Sequence, residues 1–346
     1  HGWGEVGSSV NVSENFMATA IKEVAPQLIG ENPMDTDRLW NKIFRMFSYM
    51  GSRGFTTSLT AGFDIALWDI KGKVSGLPVY DLLGGRYRDP VRLYCNAWFN
   101  GCFTPEEYAN AAKVNVLENG HNACKLDPFL EMTQFHTMYQ DGFISEEGEQ
   151  LGYDIVAAVR EVVGPEIEIL IDAHGHYNVP NAIRISNNLY ERFNIAWFEE
   201  PVPPEGINAL KQVKENTMAP ICVGERLYTR ADFIPILENN LADYIMPDTV
   251  WTGGISEIKK IATMAEAYYI PIAPHVIPGG PLELIAAAHV VSSVPNFYKL
   301  EHSHAFIPEH NNILEEPYLI KAGHLHLNGN PGLGFELDED KLEKIA

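Results

Sequence analysis

Six residues of chemically useful type close six apolar runs at nearly even steps. Asp172 ends the run IEILI, Glu199 follows IAWF, and Glu225 follows PICVG. Asp248 follows ADYIMP, His275 follows IPIAP and Glu301 follows NFYKL. The steps between them are 23 to 27 residues. Carboxylates brought within a few Å of one another raise each other's pKa unless a cation holds them. Asp172, Glu199 and Glu225 are therefore candidate ligands for a hard divalent ion with oxygen ligands, Mg2+ most simply. Strand alternation lets only one of Glu199 and its neighbour Glu200 face the ion, and the place of Glu199 in the FEEP motif selects it. His275 comes one step after Asp248, and a carboxylate that accepts from imidazole fixes the tautomer and raises basicity, making a His–Asp dyad. His174 lies two residues after Asp172, so alternation points both the same way and offers a second proton carrier, with His176 as its competitor. Each residue alone has a plainer reading as a salt bridge, a helix cap or a core histidine; the shared register argues against all of these at once.

The elements that position these residues follow from the same register. Short apolar runs of this kind read as strands buried on both faces, as in a parallel sheet. Between them lie stretches of helical period such as NAIRISNNLYERF and ISEIKKIATMAEAYY. Strand and helix alternating at about 25 residues predict an α/β fold, a closed (β/α)8 barrel of the TIM type, with the polar strand ends gathered at its mouth. VRLYCNAW is expected as the first strand and HNACKLD as the second. In the second, Lys125 and Asp127 share a side; Lys125 could neutralise a substrate carboxylate or simply pair with Asp127. Glu301, at the end of the last strand, could hydrogen-bond a substrate carboxylate, while the roles of His302 and His304 stay open.

The 346 residues exceed one barrel and suggest a second unit. A mostly helical, α+β capping domain is expected over residues 1–90, the barrel over 91–304, and a tail over 305–346 that returns to the cap. In the cap, SENFMATAIKEVAPQLIG reads as a helix capped at Ser13 and stopped at Gly30, and TSLTAGFDIALWDIKGKVSGLPVYDLLGG as a long helix, a break and a short helix. The opening HGWGEVGSS resembles the end of a β-hairpin without a starting Met or a signal-peptide pattern, so N-terminal strands are expected to lie outside this sequence. The insertion PFLEMTQFHTMYQDGFISEEGEQ is long enough for a lid or binding loop, with local packing as the equal alternative.

Composition narrows the function. A formal net charge of −21 argues against nucleic acid and anionic membrane surfaces as partners. No apolar run approaches the roughly 18 residues that span a bilayer. Cys95, Cys102, Cys124 and Cys222 follow no zinc spacing and read as buried, reduced thiols of a cytoplasmic protein.

Taken together, ALWDIKGK…GLPVYDLLGG, FEEP, GER, PD…GGI, APH and PGLG resemble the enolase superfamily, within its mandelate racemase-like group. KLDPF, the D-x-H at 172–174, FEEPVPPE, GERLYTR and the strand-seven PH are most similar to acid-sugar dehydratases of the galactonate and gluconate kind. The resemblance implies Mg2+ on Asp172, Glu199 and Glu225, C2 proton removal by His275 paired with Asp248, and a proton from His174 to the departing C3 hydroxyl. It further implies that Glu301 stabilises the enolate and that Lys125, Asp127 and Trp251 line the substrate. The implied reaction converts an aldonic acid to a 2-keto-3-deoxy acid, in a homo-oligomer whose only other partner is the small-molecule acid sugar. Epimerisation or cycloisomerisation of an acid sugar is the alternative, and a retired sensor or structural protein a third. One departure is Asp127, which stands where racemase-like members carry the second Lys of a Lys-x-Lys. A racemase needs that second base; a dehydratase does not.

Overall fold

The computed structural model describes residues 1–7, 14–133, 139–276 and 279–345. Its centre is a ring of parallel strands: β1 (Val91–Asn96), β2 (Ala123–Leu126), β3 (Glu168–Asp172), β4 (Trp197–Glu199), β5 (Ile221–Val223), β6 (Tyr244–Ile245) and β7 (Leu300–Ser303). Neighbours from β1 to β6 pair in chain order. Ile272 bridges Ile245 on one side and Phe297 on the other, and β7 pairs with β1 to close the ring. The seventh stave is thus a single bridge. Pro271 and Pro274 flank it, and neither has an N–H to extend a ladder.

Alternation along the strands sorts the ring into layers. Tyr94, Ala123, Leu170, Trp197, Cys222, Met246 and Ala273 point inward and form one buried floor. Two residues further along their strands stand Asn96, Lys125, Asp172, Glu199, Asp248 and His275. The polar ring at the mouth is therefore the next inward layer above an apolar floor. Glu225 breaks the rule, coming three residues after Cys222. The intervening Gly224 has φ +141°, and a Cβ there would meet the ring of Phe233 at 2.9 Å, so the extra step needs glycine. The outward faces of the same strands bury their apolar side chains under the helices.

Helices from the first 90 residues pack on the helices that follow β6. Phe55–Ser75 ends at Gly76, which is left-handed at φ +68° and caps Gly72 and Lys73. From this helix Asp64 accepts from the backbone N–H of Ser256 (2.9 Å) and its hydroxyl (2.6 Å), and Trp68 donates to the same hydroxyl (2.8 Å). The indole N–H of Trp40, in helix Thr36–Met46, donates to the carbonyl of Gly253 at 2.7 Å. The expected first helix runs Glu14–Val24 and tightens into a 3-10 turn at Ala25–Leu28; its expected cap, Ser13, lies outside the described residues.

The tail holds an element that the sequence reading missed. β8 (Leu319–Lys321) and β9 (His324–His326) form an antiparallel hairpin, and β9 adds to β1. Its two-residue turn, Ala322-Gly323, has φ +49° and +69°, the left-handed pair that suits a twisted hairpin. Further on, Asp69 accepts from the backbone N–H groups of Trp3 (2.9 Å) and Leu333 (2.8 Å) and pairs with Lys73 at 2.8 Å, tying three distant segments together. In the long insertion after β2, residues 134–138 lie outside the described part. The rest is tied down locally: Ser145 donates to Glu131 at 2.9 Å, and Asn181 to the carbonyl of Gly142 at 2.9 Å.

Candidate active site

The mouth of the barrel is organised on Lys125. Its ammonium, on a residue 1% exposed, lies 2.7 Å from Glu199, 3.0 Å from Glu301 and 3.1 Å from Asp172. Lys125 and Asp127 do not pair with one another, in contrast to one of the two readings of the sequence. Lys125 reaches inward across the ring, while Asp127, just past the end of β2, accepts from Nδ1 of His174 at 3.0 Å. His174 also lies 3.4 Å from Asp172 through Nδ1, and its backbone N–H donates to Asp172 at 3.0 Å. It comes to Asp172 by a turn rather than by strand alternation: β3 stops at Asp172, and His174 is left-handed at φ +46°. His176 is buried nearby, with its ring centroid 5.9 Å from that of His174.

On the other side of the mouth, Nδ1 of His275 bonds Asp248 at 2.8 Å, and Nε2 lies 3.3 Å from Glu225 and 4.0 Å from Glu301. Asp248 is held in turn by the backbone N–H of Trp251 at 2.6 Å, and the indole of Trp251 stacks on the His275 ring at 5.4 Å. The dyad is therefore oriented at both ends, and Asp248 fixes the tautomer with the proton on Nδ1. Glu301 accepts from Tyr94 (2.8 Å), Asn96 (2.7 Å) and the N–H of Val276 (3.2 Å). Glu200 turns away at φ +37° and pairs with Arg226 at 2.6 Å, leaving Glu199 facing the centre.

These neighbours raise all four acid–base groups, which favours the charged form of the three bases and the neutral form of Glu199. Burial disfavours charge on Lys125, yet Asp172, Glu199 and Glu301 outweigh it and hold the ammonium well above its ordinary range. Burial likewise opposes charge on His174, but Asp172 and Asp127 push it up to about 10. For His275 burial is again overcome, here by Glu301, Glu225 and Asp248, and the imidazole is pushed up to about 9. Glu199 is raised too, which here favours the neutral form. Burial first, and the charge of Asp172 next, hold it well above the carboxylate range in spite of Lys125.

That last shift is the test of a cation site. Asp172, Glu199, Glu225 and Glu301 are met here by Lys125 and by two imidazoles held protonated, and His275 must lose that proton to act as a base. A further positive charge fits among all-oxygen donors of this kind. Donor atoms of Asp172, Glu225 and His174 lie within 4.8 Å of one another, so the two carboxylates of this trio can share an ion beside the imidazole. Glu199, expected as the third carboxylate, borders the trio through Lys125 and is held on its other oxygen by the indole of Trp197 at 3.0 Å.

Sequence reasoning missed several groups that hold this site. Tyr94 and Asn96, which orient Glu301, share the inward parity of VRLYCNAW and could have been read from it. Glu5 carries no such signal. Its carboxylate accepts from Gly280 (2.7 Å), Leu282 (2.9 Å) and Glu283 (3.3 Å) at the start of helix Pro281–Ser292, just after the His275 loop.

A parallel barrel whose strand ends carry carboxylates, a buried lysine and a His–Asp dyad defines a class of enzymes built for proton transfer next to a cation. Comparison with known proteins narrows the class. Residues 1–84 match the mandelate racemase / muconate lactonizing enzyme N-terminal domain, and residues 107–341 the enolase C-terminal domain-like family. The chain belongs to the mandelate racemase and muconate lactonizing enzyme branch of the enolase superfamily. It is 36% identical to a D-xylonate dehydratase of Haloferax volcanii over 93% of this chain and 78% of that one. It is 32% identical to a D-gluconate/D-galactonate dehydratase of Picrophilus torridus over 99% and 85% of the two chains. It is also 32% identical to a D-galactarolactone cycloisomerase of Agrobacterium fabrum over 99% and 87%. The solved structure of a mandelate racemase/muconate lactonizing enzyme-like protein from Rubrobacter xylanophilus superposes with a TM-score of 0.91 at 38% identity, covering 99% of this chain and 90% of that one. Among the described residues no helix is long and apolar enough to cross a membrane.

Proposed function

We propose that this protein dehydrates an aldonic acid to the 2-keto-3-deoxy acid, with Asp172, Glu199 and Glu225 holding Mg2+. The observation that carries the reading is the division of two histidines: His275 with Asp248 on the Glu225 side, His174 with Asp127 on the Asp172 side. When bound, the cation supplies the positive charge that the substrate carboxylate and the developing enediolate require, and it opposes the carboxylate field that keeps His275 protonated. Nδ1 of His275 stays bound to Asp248, so Nε2 is the atom that takes the C2 proton. Lys125 receives the enediolate oxygens, and Glu301, 3.0 Å from its ammonium, holds it in place. A C3 hydroxyl is a poor leaving group until protonated. His174, held protonated by Asp172 and Asp127, delivers that proton from Nε2, help typically worth 10²–10⁴-fold. Asp127 is then a positioning residue for the acid, and this fits an aspartate where a second lysine base is absent. Trp251 holds the His275 ring and borders the substrate.

The division of the chain belongs to the same proposal: a cap over 1–90, a barrel over 91–304, and a tail over 305–346 that closes back on the cap. Contacts of Glu5 beside the mouth and of Asp69 with Leu333 support it. The resemblance to the cycloisomerase favours one alternative, isomerisation from the same enediolate. Incubation of the protein and Mg2+ with a panel of aldonic and aldaric acids in D2O, followed by proton NMR, separates them. A 2-keto-3-deoxy product supports dehydration; an isomer with deuterium at C2 and no water loss overturns it.

A further inference from the structure

The outward faces of the strands that build the mouth carry a second cluster, which the proposed reaction does not use. Cys95 on β1 and His302 on β7 are paired in register where the ring closes. His121, just before β2, and His304, just after β7, complete a group of four whose donor atoms all lie within 4.8 Å of one another. Cys95, His121 and His302 are buried at 0%, 3% and 1% exposure, and His304 is half-buried. The strands themselves separate this group from the mouth, because Cys95 and His302 alternate with Tyr94 and Glu301, which face inward.

The protein alone does not satisfy these side chains. Nε2 of His121 and Nε2 of His302 face each other at 3.3 Å, and Nδ1 of each has no hydrogen-bond partner among the described residues. Two neutral imidazoles bring two N–H donors and two acceptors, and this pair makes one bond. A donor and an acceptor are left over in the core, where each unmade bond costs about 1–3 kcal/mol. Among the described residues, the thiol of Cys95 finds only a 4.0 Å contact with the carbonyl of Asn115. No carboxylate or ammonium belongs to the cluster, so nothing in it calls for an anion or a hard cation.

We infer that Cys95, His121, His302 and His304 form a tetrahedral site of three nitrogens and one sulfur for a late first-row divalent ion, zinc above all, that clamps the barrel at its β7–β1 seam. Nitrogen and sulfur ligands in this ratio suit zinc and its neighbours rather than Mg2+. Two nitrogens on one tetrahedral zinc, each bonded at about 2.0–2.1 Å, stand about 3.3–3.4 Å apart, and the two imidazoles already show that spacing. On binding, Cys95 gives up its proton to solvent and ligates as the thiolate. The half-exposed His304 provides the entry. The sequence could not show this site, because its ligands come from strands 207 positions apart and follow no local cysteine–histidine spacing.

Cobalt(II) tests the site, because only a thiolate ligand produces an intense sulfur-to-cobalt charge-transfer band. The Cys222 thiol lies in the floor beneath the carboxylate mouth, so loss of the band in Cys95→Ser is what assigns it to the seam. Metal-stripped full-length protein titrated with Co2+ should develop this band to one equivalent, lose it on addition of Zn2+, and keep it in Glu225→Gln. Cys95→Ser should lose the band completely. His304→Ala, at a half-exposed position, should weaken Co2+ binding by at least about tenfold. Absence of the band in the native protein, its survival in Cys95→Ser, or an unchanged affinity in His304→Ala would each overturn the inference.

Discussion

The two faces of the same barrel strands solve burial in opposite ways. Inward, β1, β2 and β7 present Asn96, Lys125 and Glu301; outward, one residue away, they present Cys95, Cys124 and His302. Lys125 and Glu301 are charged, and each is met: Lys125 by three carboxylates, Glu301 by four donors, Asn96 among them. The outward histidines are neutral in this structure, and each leaves a ring nitrogen unmet. His289 is a useful third case. Its Nδ1 accepts from Tyr80 at 3.2 Å and its Nε2 donates to Leu333 at 2.9 Å, so a buried neutral histidine can be fully satisfied by this fold. The difference teaches that polarity in a core is tolerated in three forms: as balanced charge, as a completed hydrogen-bond set, or as an arrangement that leaves room for a ligand.

The comparison can be broken or sharpened by substitution. The largest effect is expected at Glu199: Glu199→Gln should abolish measurable Mg2+ binding by calorimetry. Glu200→Gln, which acts only through Arg226, should weaken it no more than about 10-fold; the reverse ranking would show that the wrong glutamate faces the centre. Next, Lys125→Met in metal-free protein leaves buried carboxylates without their cation and should cost about 3–5 kcal/mol in urea unfolding. A cost below about 1 kcal/mol would mean that the inward charges are not balanced by Lys125.

His289 gives a pH-dependent effect of intermediate size. Burial lowers it from 6.5 to about 4, and it is 1% exposed. The unfolded chain therefore takes up a proton below pH 6.5 that the folded one refuses until about pH 4. Its contribution to stability is present above 6.5 and is lost as pH falls toward 4, to a total of about 3 kcal/mol. Urea midpoints at pH 7 and pH 5 should converge in His289→Gln relative to the native protein, and an unchanged pH slope would contradict this. The smallest effect is expected for Cys95→Ala without added metal, about 1 kcal/mol. A much larger loss would mean that the outward cluster is structural core rather than a set of metal ligands.

How far these regions could be read in advance follows from alternation. Asp172, Glu199, Asp248, His275 and Glu301 each close an apolar run, so strand period alone placed them at the mouth. The reading of His174 reached the right neighbour for the wrong reason, since a left-handed turn brings it to Asp172. Pairing is not a property of period, so the partners of Lys125 and Asp127 could not be read from β2. The hairpin Leu319–Lys321 and His324–His326 was hidden because its turn, Ala322-Gly323, lacks the Asn-Gly or Asp-Gly signal. Glu5 and the seam histidines depend on contacts between segments far apart in sequence, which no local pattern records.

The central claim is that His275 and His174 divide the reaction, and isotope exchange tests it most directly. Each variant, His275→Asn and His174→Asn, is incubated with the accepted sugar acid and Mg2+ in D2O, and C2 deuteration and 2-keto-3-deoxy product are followed together by proton NMR. The account predicts that His275→Asn loses both signals, whereas His174→Asn loses product by about 10²–10⁴-fold yet still exchanges the C2 proton. Exchange surviving in His275→Asn, or dehydration at the native rate in His174→Asn, would contradict it.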